Sequence, residues 1–306
     1  MSPQRPGRLP DMHVQTETRR ETALSYLMSI LMGLIQGVAE FLPISSSGHL
    51  ALFQAFFGME DVEANHMFFT VLLHFGTLIS VCVVYWRDIL DMIREFFLGI
   101  AALCGRRDTG VTPPPARRLV LLIIVATLPL FVMVFLNDAI STLFANPILV
   151  SCALLATGFV LYFSDRMAKG HKTAKNATVA DALIVGCGQA LAVIPGLSRS
   201  GTTISVGMMR GFDRAFAVRF SFLMSLPAVL GANILEIKDA VAAGFPMEEL
   251  PVYLVGVAVS AVVGYFAIRL VKSLSDKGKF GKFAYYCWAV GLGSLIAGIV
   301  KFGILA

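Results

Sequence analysis

Two stretches of this chain gather polar chemistry inside otherwise apolar sequence. The first reads Gln36-Gly-Val-Ala-Glu40-Phe-Leu-Pro43-Ile-Ser45-Ser46-Ser47-Gly48-His49, and the second reads Pro195-Gly196-Leu197-Ser198-Arg199-Ser200-Gly201-Thr202-Thr203. Together they supply a carboxylate, an imidazole, a guanidinium and at least seven hydroxyls. That set suits phosphate. Arginine offers a planar fork matched to phosphate oxygens, and backbone N–H groups at a Gly/Ser-rich turn opening a helix form an anion nest aided by the helix dipole. A hydroxyl becomes a nucleophile when a neighbouring base takes its proton, and histidine does acid or base work near neutral pH.

Each of these residue types also has an ordinary structural use. Glu40 could be a buried carboxyl paired with a neighbour, but a carboxylate at membrane depth is costly and functional by default. His49, three residues past Ser46, is read as a functional group rather than a turn cap. Arg199, flanked by two serines in an apolar segment, has no packing rationale and is read as the anion binder. Serines are favoured at turns and helix starts regardless of chemistry, so one of Ser45, Ser46 and Ser47 reacts or binds and spacing does not say which. His74, beside Gly76, is left open between packing and the cavity.

The elements that must position these groups are membrane helices. The 306 residues are 57% hydrophobic and 15% charged, with a mean hydropathy of +0.76, outside the range of soluble domains. Six uncharged runs, near 67–86, 119–136, 147–163, 220–235, 252–268 and 283–300, are long enough, with their flanks, to cross roughly 30 Å of hydrocarbon. Two more apolar stretches, 24–57 and 180–209, are broken by Pro, Gly and clustered Ser, and broken backbone at membrane depth normally borders a cavity. Residues 88–103 place Ile89, Met92, Ile93, Phe96 and Ile100 at helical spacing among charges, which predicts an amphipathic helix on the inner surface. Arg210, Arg214 and Arg219 are read as topogenic or headgroup contacts, and Gly256 with Gly264 as a close helix contact.

The five cysteines are scattered with no CxxC spacing, and the basic balance of +5 reports membrane orientation here, with no nucleic-acid motif visible. A register shift of 153 residues brings Gly33, Gln36, Ala39, Ser45, Ser47 and Gly48 onto Gly186, Gln189, Ala192, Ser198, Ser200 and Gly201. Each broken segment precedes three spans. An odd number of crossings makes the second copy enter from the opposite face. The reading is an all-α membrane protein of six transmembrane helices plus two re-entrant helix pairs in an inverted-topology repeat. It has a polar tail (1–23), a first repeat (24–164) and a second (165–306), and is multi-pass in a membrane whose lipids, and a second copy of the chain as homodimer, are its expected partners. Basic residues from Arg87 to Arg118, Arg166 to Lys175 and Arg269 to Lys282 mark inner loops, against Asp138 and the acidic group Glu236, Asp239, Glu248 and Glu249 outside.

At the two loops the chain resembles the undecaprenyl-diphosphate phosphatase family, integral membrane phosphatases of the bacitracin-resistance type. Gln36 to His49 is similar to its E/Q-G-x-x-E-F-L-P-x-S-S-S/T-G-H motif and Pro195 to Thr203 to its P-G-x-S-R-S-G-x-T motif, and the likeness runs from about Tyr26 to the C-terminus. The resemblance implies six spans, an inverted repeat, and a bacterial inner-membrane hydrolase. It would convert undecaprenyl diphosphate to the monophosphate carrier lipid and inorganic phosphate, serving cell-wall synthesis and bacitracin resistance, with a divalent cation, Mg²⁺ or Ca²⁺, as cofactor. It implies that Glu40 acts as base or metal ligand, Ser46 as nucleophile and His49 in acid/base or phosphate binding, while Arg199 holds the diphosphate. Ser45, Ser47, Gly48, Ser198, Ser200, Gly201, Thr202 and Thr203 would bind the same substrate. Gln36 stands where many members carry Glu; its carbonyl can hold a cation but cannot be a base. The competing reading is a polyprenyl-phosphate transporter of the same fold, which needs the Arg and hydroxyls but no nucleophile.

Overall fold

The computed structural model describes residues 25–57, 67–103, 114–136, 146–243 and 247–302. The N-terminal tail and the loop charges Arg106, Arg107 and Asp138 lie outside the described residues. In chain order the helices are α1 (Tyr26–Ala39), α2 (Ser46–Phe57), α3 (Met67–Val84), α4 (Trp86–Leu103), α5 (Pro115–Thr127), α6 (Leu130–Val134) and α7 (Pro147–Met167). They continue as α8 (Val179–Leu191), α9 (Arg199–Met209), α10 (Arg214–Ala243), α11 (Leu250–Asp276) and α12 (Phe283–Phe302). The division expected at 164/165 falls in the last turn of α7.

Five stretches, Pro115–Met133, Pro147–Met167, Arg214–Gly231, Met247–Asp276 and Phe280–Lys301, are long and apolar enough to cross a membrane, and counting the bent pair α3–α4 as one span makes six. This is a multi-pass, all-α membrane protein. The chain bends by 86° between α3 and α4, where the apolar run gives way to Arg87, Asp88, Asp91, Arg94 and Glu95. Those charges cannot follow α3 into hydrocarbon. Arg219 of α10 donates to Asp88 at 2.5 Å and Arg117 of α5 donates to Glu95 at 3.1 Å, so the polar side of α4 is tied to the bundle. Leu90, Ile93, Phe96 and Phe97 are left exposed, the disposition of a helix lying in a lipid interface.

The polar loops sit between helices too short to span. α1 and α8 have 14 and 13 residues, α2 and α9 have 12 and 11, and rods of about 16 to 21 Å cannot cross roughly 30 Å of hydrocarbon singly. A shift of 153 residues carries 26–39 of α1 onto 179–192, against 179–191 for α8, and Ser46 onto Arg199, the first residues of α2 and α9. The helix starts repeat as well. Ser45 Oγ accepts from the N–H of Gly48 at 3.2 Å, and Ser198 Oγ accepts from Gly201 at 3.1 Å. The same N-capping bond is made twice.

Small residues let the helices around this centre approach to backbone contact. A Cβ on Gly33 of α1 would lie 2.5 Å from the carbonyl oxygen of Gly256 on α11, and one on Gly76 of α3 would lie 2.6 Å from that of Val257. Hydroxyls finish the seam: Ser29 donates to Val252 O at 2.6 Å, Ser80 to Ala261 O at 2.7 Å and Ser260 to Leu73 O at 3.0 Å. The buried apolar core then gathers between α5, α8, α9 and α10, with Leu122, Val185, Ile204 and Leu223 at or near zero exposure.

One buried carboxylate locks the second loop pair at its far end. Asp181, fully buried at the start of α8, takes Lys172 Nζ at 2.8 Å and the Thr178 N–H at 3.0 Å on one oxygen, and Arg210 Nε and Nη2 at 3.0 and 2.9 Å on the other. It also completes a capping box with Thr178. Because Arg210 caps α9, this cluster fastens the outer ends of α8 and α9 together.

Two outcomes follow from this packing. Gly33→Val, whose Cβ meets main chain, is expected to cost about 3 kcal/mol or more and to lower the melting temperature of the detergent-purified protein; an unchanged melting curve refutes the tight approach of α1 to α11. Asp181→Ala leaves Lys172 and Arg210 without their shared anion. Both cations are about a third exposed, so the expected loss is on the order of 1–3 kcal/mol rather than the full cost of orphaning a buried charge, read as a fall in melting temperature that Asp181→Asn reproduces only in part.

Candidate active site

Ser45 is the only non-glycine residue with positive φ among the described residues, at 68°. A non-glycine residue in this left-handed region is strained unless its surroundings hold it there, and four contacts do so. Its hydroxyl caps α2 and lies 3.4 Å from Leu197 O in the second loop, and its carbonyl accepts from the His49 N–H at 3.2 Å and from His49 Nδ1 at 2.7 Å. Gly196 supplies the matching bend with φ +93°, and a Cβ there would stand 2.4 Å from Val150 O. The loops meet at Gly48, where a Cβ would stand 2.8 Å from Gly196 Cα. Ser200 Oγ adds a bond of 3.3 Å to Leu42 O.

At this junction Arg199, opening α9, forms an ion pair with Glu40, just past the end of α1. The Glu40 side chain is 6% exposed and that of Arg199 24%. Further groups surround the other carboxylate oxygen: Gln36 Nε2 donates to it at 3.1 Å, Ser46 Oγ lies at 3.5 Å, and His74 Nε2 at 4.0 Å. His74 Nδ1 sits 2.9 Å from Thr70 O, a carbonyl that can only accept, so the Nδ1 proton is assigned there and Nε2 faces Glu40. Glu40, Arg199, Ser46 and His74 line a cavity of about 280 Å³ together with Ser45, Ser47 and Ser198. The rest of its wall is apolar apart from two amides. Leu130, Ala192, Val193, Leu197, Ala228 and Val229 stand beside Gln189 and Asn233.

The structure brings Glu40, Ser45, Ser46, Ser47, Ser198 and Arg199 to one cavity from two loops more than 140 residues apart. It places the remaining sequence-derived candidates around that cavity rather than on it. His49 turns back over its own helix start, with Nδ1 on Ser45 O and Nε2 2.9 Å from the Tyr286 hydroxyl of α12, its ring stacked on Tyr286 at 5.6 Å. Gly48 and Gly201 provide the close approaches of loop to loop, Gly201 against Pro43. Ser200 ties the loops as above. Thr203 is buried, bonding Arg199 O at 2.8 Å and Ser221 of α10 at 2.5 Å. Thr202 donates its N–H to Ser198 O at 2.8 Å. Gln36 reaches the site through Glu40.

Three cavity residues were not singled out by residue type alone. His74, left open in the sequence, comes to the cavity because α3 packs against α10 and α11. Gln189 was visible only as the register partner of Gln36, and Asn233 lies unremarked inside the uncharged run 220–235. Among the described residues no three His, Cys, Asp or Glu side chains gather as a metal cluster.

What the arrangement can do follows from its parts. A fork-shaped cation, two capped helix N-termini and four clustered serine hydroxyls bind an anion. A carboxylate lies beside one serine hydroxyl and an imidazole lies beside that carboxylate, an arrangement suited to proton removal during attack or during activation of water. The comparisons with known proteins agree with this chemistry. The family model described as bacitracin resistance protein BacA matches residues 29–293. Relatives named undecaprenyl-diphosphatase include one from Methanosphaera stadtmanae, 41% identical over 90% of this chain and 99% of its own length. One from Halothermothrix orenii is 40% identical over 88% of this chain and 97% of its own, and one from Alkaliphilus metalliredigens is 41% identical over 86% and 95%. With a matched region reaching from α1 into α12 and both polar loops inside it, this chain belongs to the BacA family of bacitracin resistance proteins.

Proposed function

We propose that this chain hydrolyses undecaprenyl diphosphate to undecaprenyl phosphate and inorganic phosphate in the cell membrane, recycling the carrier lipid used for cell-wall polymers. The observation that carries the reading is the meeting of Glu40, Ser46, His74 and Arg199 at one cavity between apolar helices, supported by the activity for which the relatives are named. A cavity among membrane helices admits a prenyl tail from the bilayer and a polar headgroup at the loops. Those names speak for hydrolysis over the transporter reading.

In the proposed sequence the entering diphosphate competes for Arg199 and so loosens its hold on Glu40. The freed carboxylate takes the Ser46 hydroxyl proton as Ser46 Oγ bonds to the outer phosphorus. The bridging P–O bond breaks, the prenyl monophosphate leaves, and water then releases phosphate from the serine. Arg199 and the N–H groups opening α2 and α9 stabilise the charge on the transferred phosphoryl group. His74 is assigned to proton handling beside Glu40. His49 is assigned to positioning, holding the Ser45 carbonyl and with it the strained turn that presents Ser46. Two copies of the loop module entering from opposite faces account for their meeting, since three apolar spans separate them.

The protein supplies one carboxylate, the Gln36 carbonyl and serine hydroxyls as oxygen donors. That fits Mg²⁺ or Ca²⁺ only as an ion shared with substrate phosphates and water, the usual habit of Mg²⁺. Glu40 with Gln36 would be its protein ligands. Such an ion would neutralise phosphoryl charge.

The test is phosphate release from undecaprenyl diphosphate by detergent-purified protein. Glu40→Gln is expected to lower kcat by about 10² to 10⁴ fold as a lost base, and Arg199→Ala by about 10² to 10³ fold as a lost oxyanion partner. Ser46→Ala is expected to abolish any phosphoserine trapped by rapid acid quench. Hydrolysis unchanged in all three variants, with lipid translocation lost, refutes the enzyme reading. Chelation is expected to stop turnover reversibly, with Mg²⁺ or Ca²⁺ restoring it; indifference to chelator removes the cation. His49→Ala is expected to retain a larger share of kcat than His74→Ala, the reverse order overturning the two assignments.

A further inference from the structure

The cavity carries two polar side chains that the proposed chemistry leaves unused. Gln189 of α8 and Asn233 of α10 both line it and are 2% and 3% exposed. Gln189 Nε2 and Oε1 and Asn233 Nδ2 are closed off from water and have no hydrogen-bond partner among the described residues. Other buried polar atoms lack partners elsewhere, but these two residues alone among them border the cavity. An amide buried without a bond costs free energy that a fold retains where something else offsets it, and a bound ligand is the usual reason at a cavity.

Comparison with the first loop shows what Gln189 lacks. Its counterpart one register back is Gln36, whose amide donates to Glu40 one helical turn later. The residue one turn after Gln189 is Val193, so the second copy keeps the amide and lacks the carboxylate. Here the cavity wall is otherwise Leu130, Ala192, Val193, Ala228 and Val229. A ligand at this wall presents both apolar surface and groups that accept hydrogen bonds from neutral donors.

We propose that Gln189 and Asn233 form the subsite for the lipid-linked phosphate, the half of the substrate that leaves as the prenyl monophosphate. This rests on the diphosphatase reading. The phosphoryl group under attack needs the charged partner, Arg199, and the capped helix starts; the inner phosphate joins the apolar chain and needs donors set among apolar side chains. Amides meet it without a formal charge. The leaving monophosphate is therefore recognised by this wall yet held more weakly than by a guanidinium, and product departure is not blocked. Gln189 Oε1 can only accept, so its partner in the complex is a water carried in with the substrate.

The experiment compares two product inhibitors in the hydrolysis of undecaprenyl diphosphate by purified wild type, Gln189→Leu and Asn233→Leu. Undecaprenyl phosphate probes the proposed subsite and inorganic phosphate probes the Arg199 side. Each variant is expected to raise the inhibition constant of undecaprenyl phosphate, and KM with it, by about tenfold, the scale of one lost hydrogen bond to a charged group. The constant for inorganic phosphate is expected to stay within about twofold and kcat within about threefold on that scale. Because each substitution removes an unpaired amide, the melting temperature is expected to hold or rise. Gln189→Glu, which keeps the shape and adds a negative charge, is expected to raise the undecaprenyl phosphate constant more than Gln189→Leu does, and it keeps the idea testable should the leucine variants fail to fold. Unchanged constants for undecaprenyl phosphate overturn the subsite. So does a parallel rise for both inhibitors, which marks a disturbed cavity, or a fall in melting temperature, which marks the amides as structural. Absence of phosphate release by wild type itself would instead defeat the diphosphatase reading.

Discussion

The ion pair between Glu40 and Arg199 joins loops 159 residues apart in the sequence, and the rest of the centre is arranged around keeping those two charges together. A buried ion pair is a poor source of stability, because stripping water from both ions offsets most of their attraction. An apolar pair of similar volume would hold the loops at least as well. What an apolar pair would lack is a guanidinium that a phosphate can claim and a carboxylate that is released when it does. The expense of the pair is therefore better explained by chemistry than by folding. The supporting geometry agrees, since Ser45 is held in a strained conformation, a side chain on Gly48 would meet Gly196, and one on Gly196 would meet Val150.

That constraint also sorts the nearby polar groups into those beside the carboxylate and those that hold the loops. Ser46 and His74 face the carboxylate oxygen that Arg199 does not take. Ser198, Ser200 and Thr203 spend their hydroxyls on caps, loop-to-loop bonds and a contact to α10. Two similar-looking serine clusters thus do different work. The difference lies in whether a hydroxyl has a carboxylate beside it or a backbone group waiting to be satisfied.

Much of this was legible in the sequence because the membrane makes polar residues conspicuous. Glu40 and Arg199 stand out in apolar segments, the charges after Val84 mark where α3 must stop, and the Pro/Gly breaks mark where helices cannot continue. The histidines were harder, for a geometric reason. His49 lies beside the serines in sequence, but position i+4 on a helix puts its ring over the Ser45 carbonyl and toward α12. His74 is far from both loops in sequence and near them in space, and only the packing of α3 in the bundle reveals it. The two amides were quieter still. A lone Gln or Asn in an apolar helix carries no signal of its own, and its meaning depends on what it fails to touch.

The internal register makes one further point about why the two loops cannot be alike. Both open their second helix with the same serine cap, a Gly N–H donating to the Ser hydroxyl, so this local frame occurs twice. The side chains mounted on it are not. Ser46 corresponds to Arg199, Glu40 to Val193 and His49 to Thr202. With a carboxylate on both loops, two anions would share one low-dielectric cavity and repel any anionic ligand. Had both kept the arginine, the cavity would bind phosphate without a nucleophile or base to act on it. The two similar loops thus differ in charge, with the carboxylate and Ser46 on one and the cation on the other. Gln36 and Gln189 are identical in type but not in surroundings: one amide donates to its carboxylate, and the residue one turn after the other is a valine.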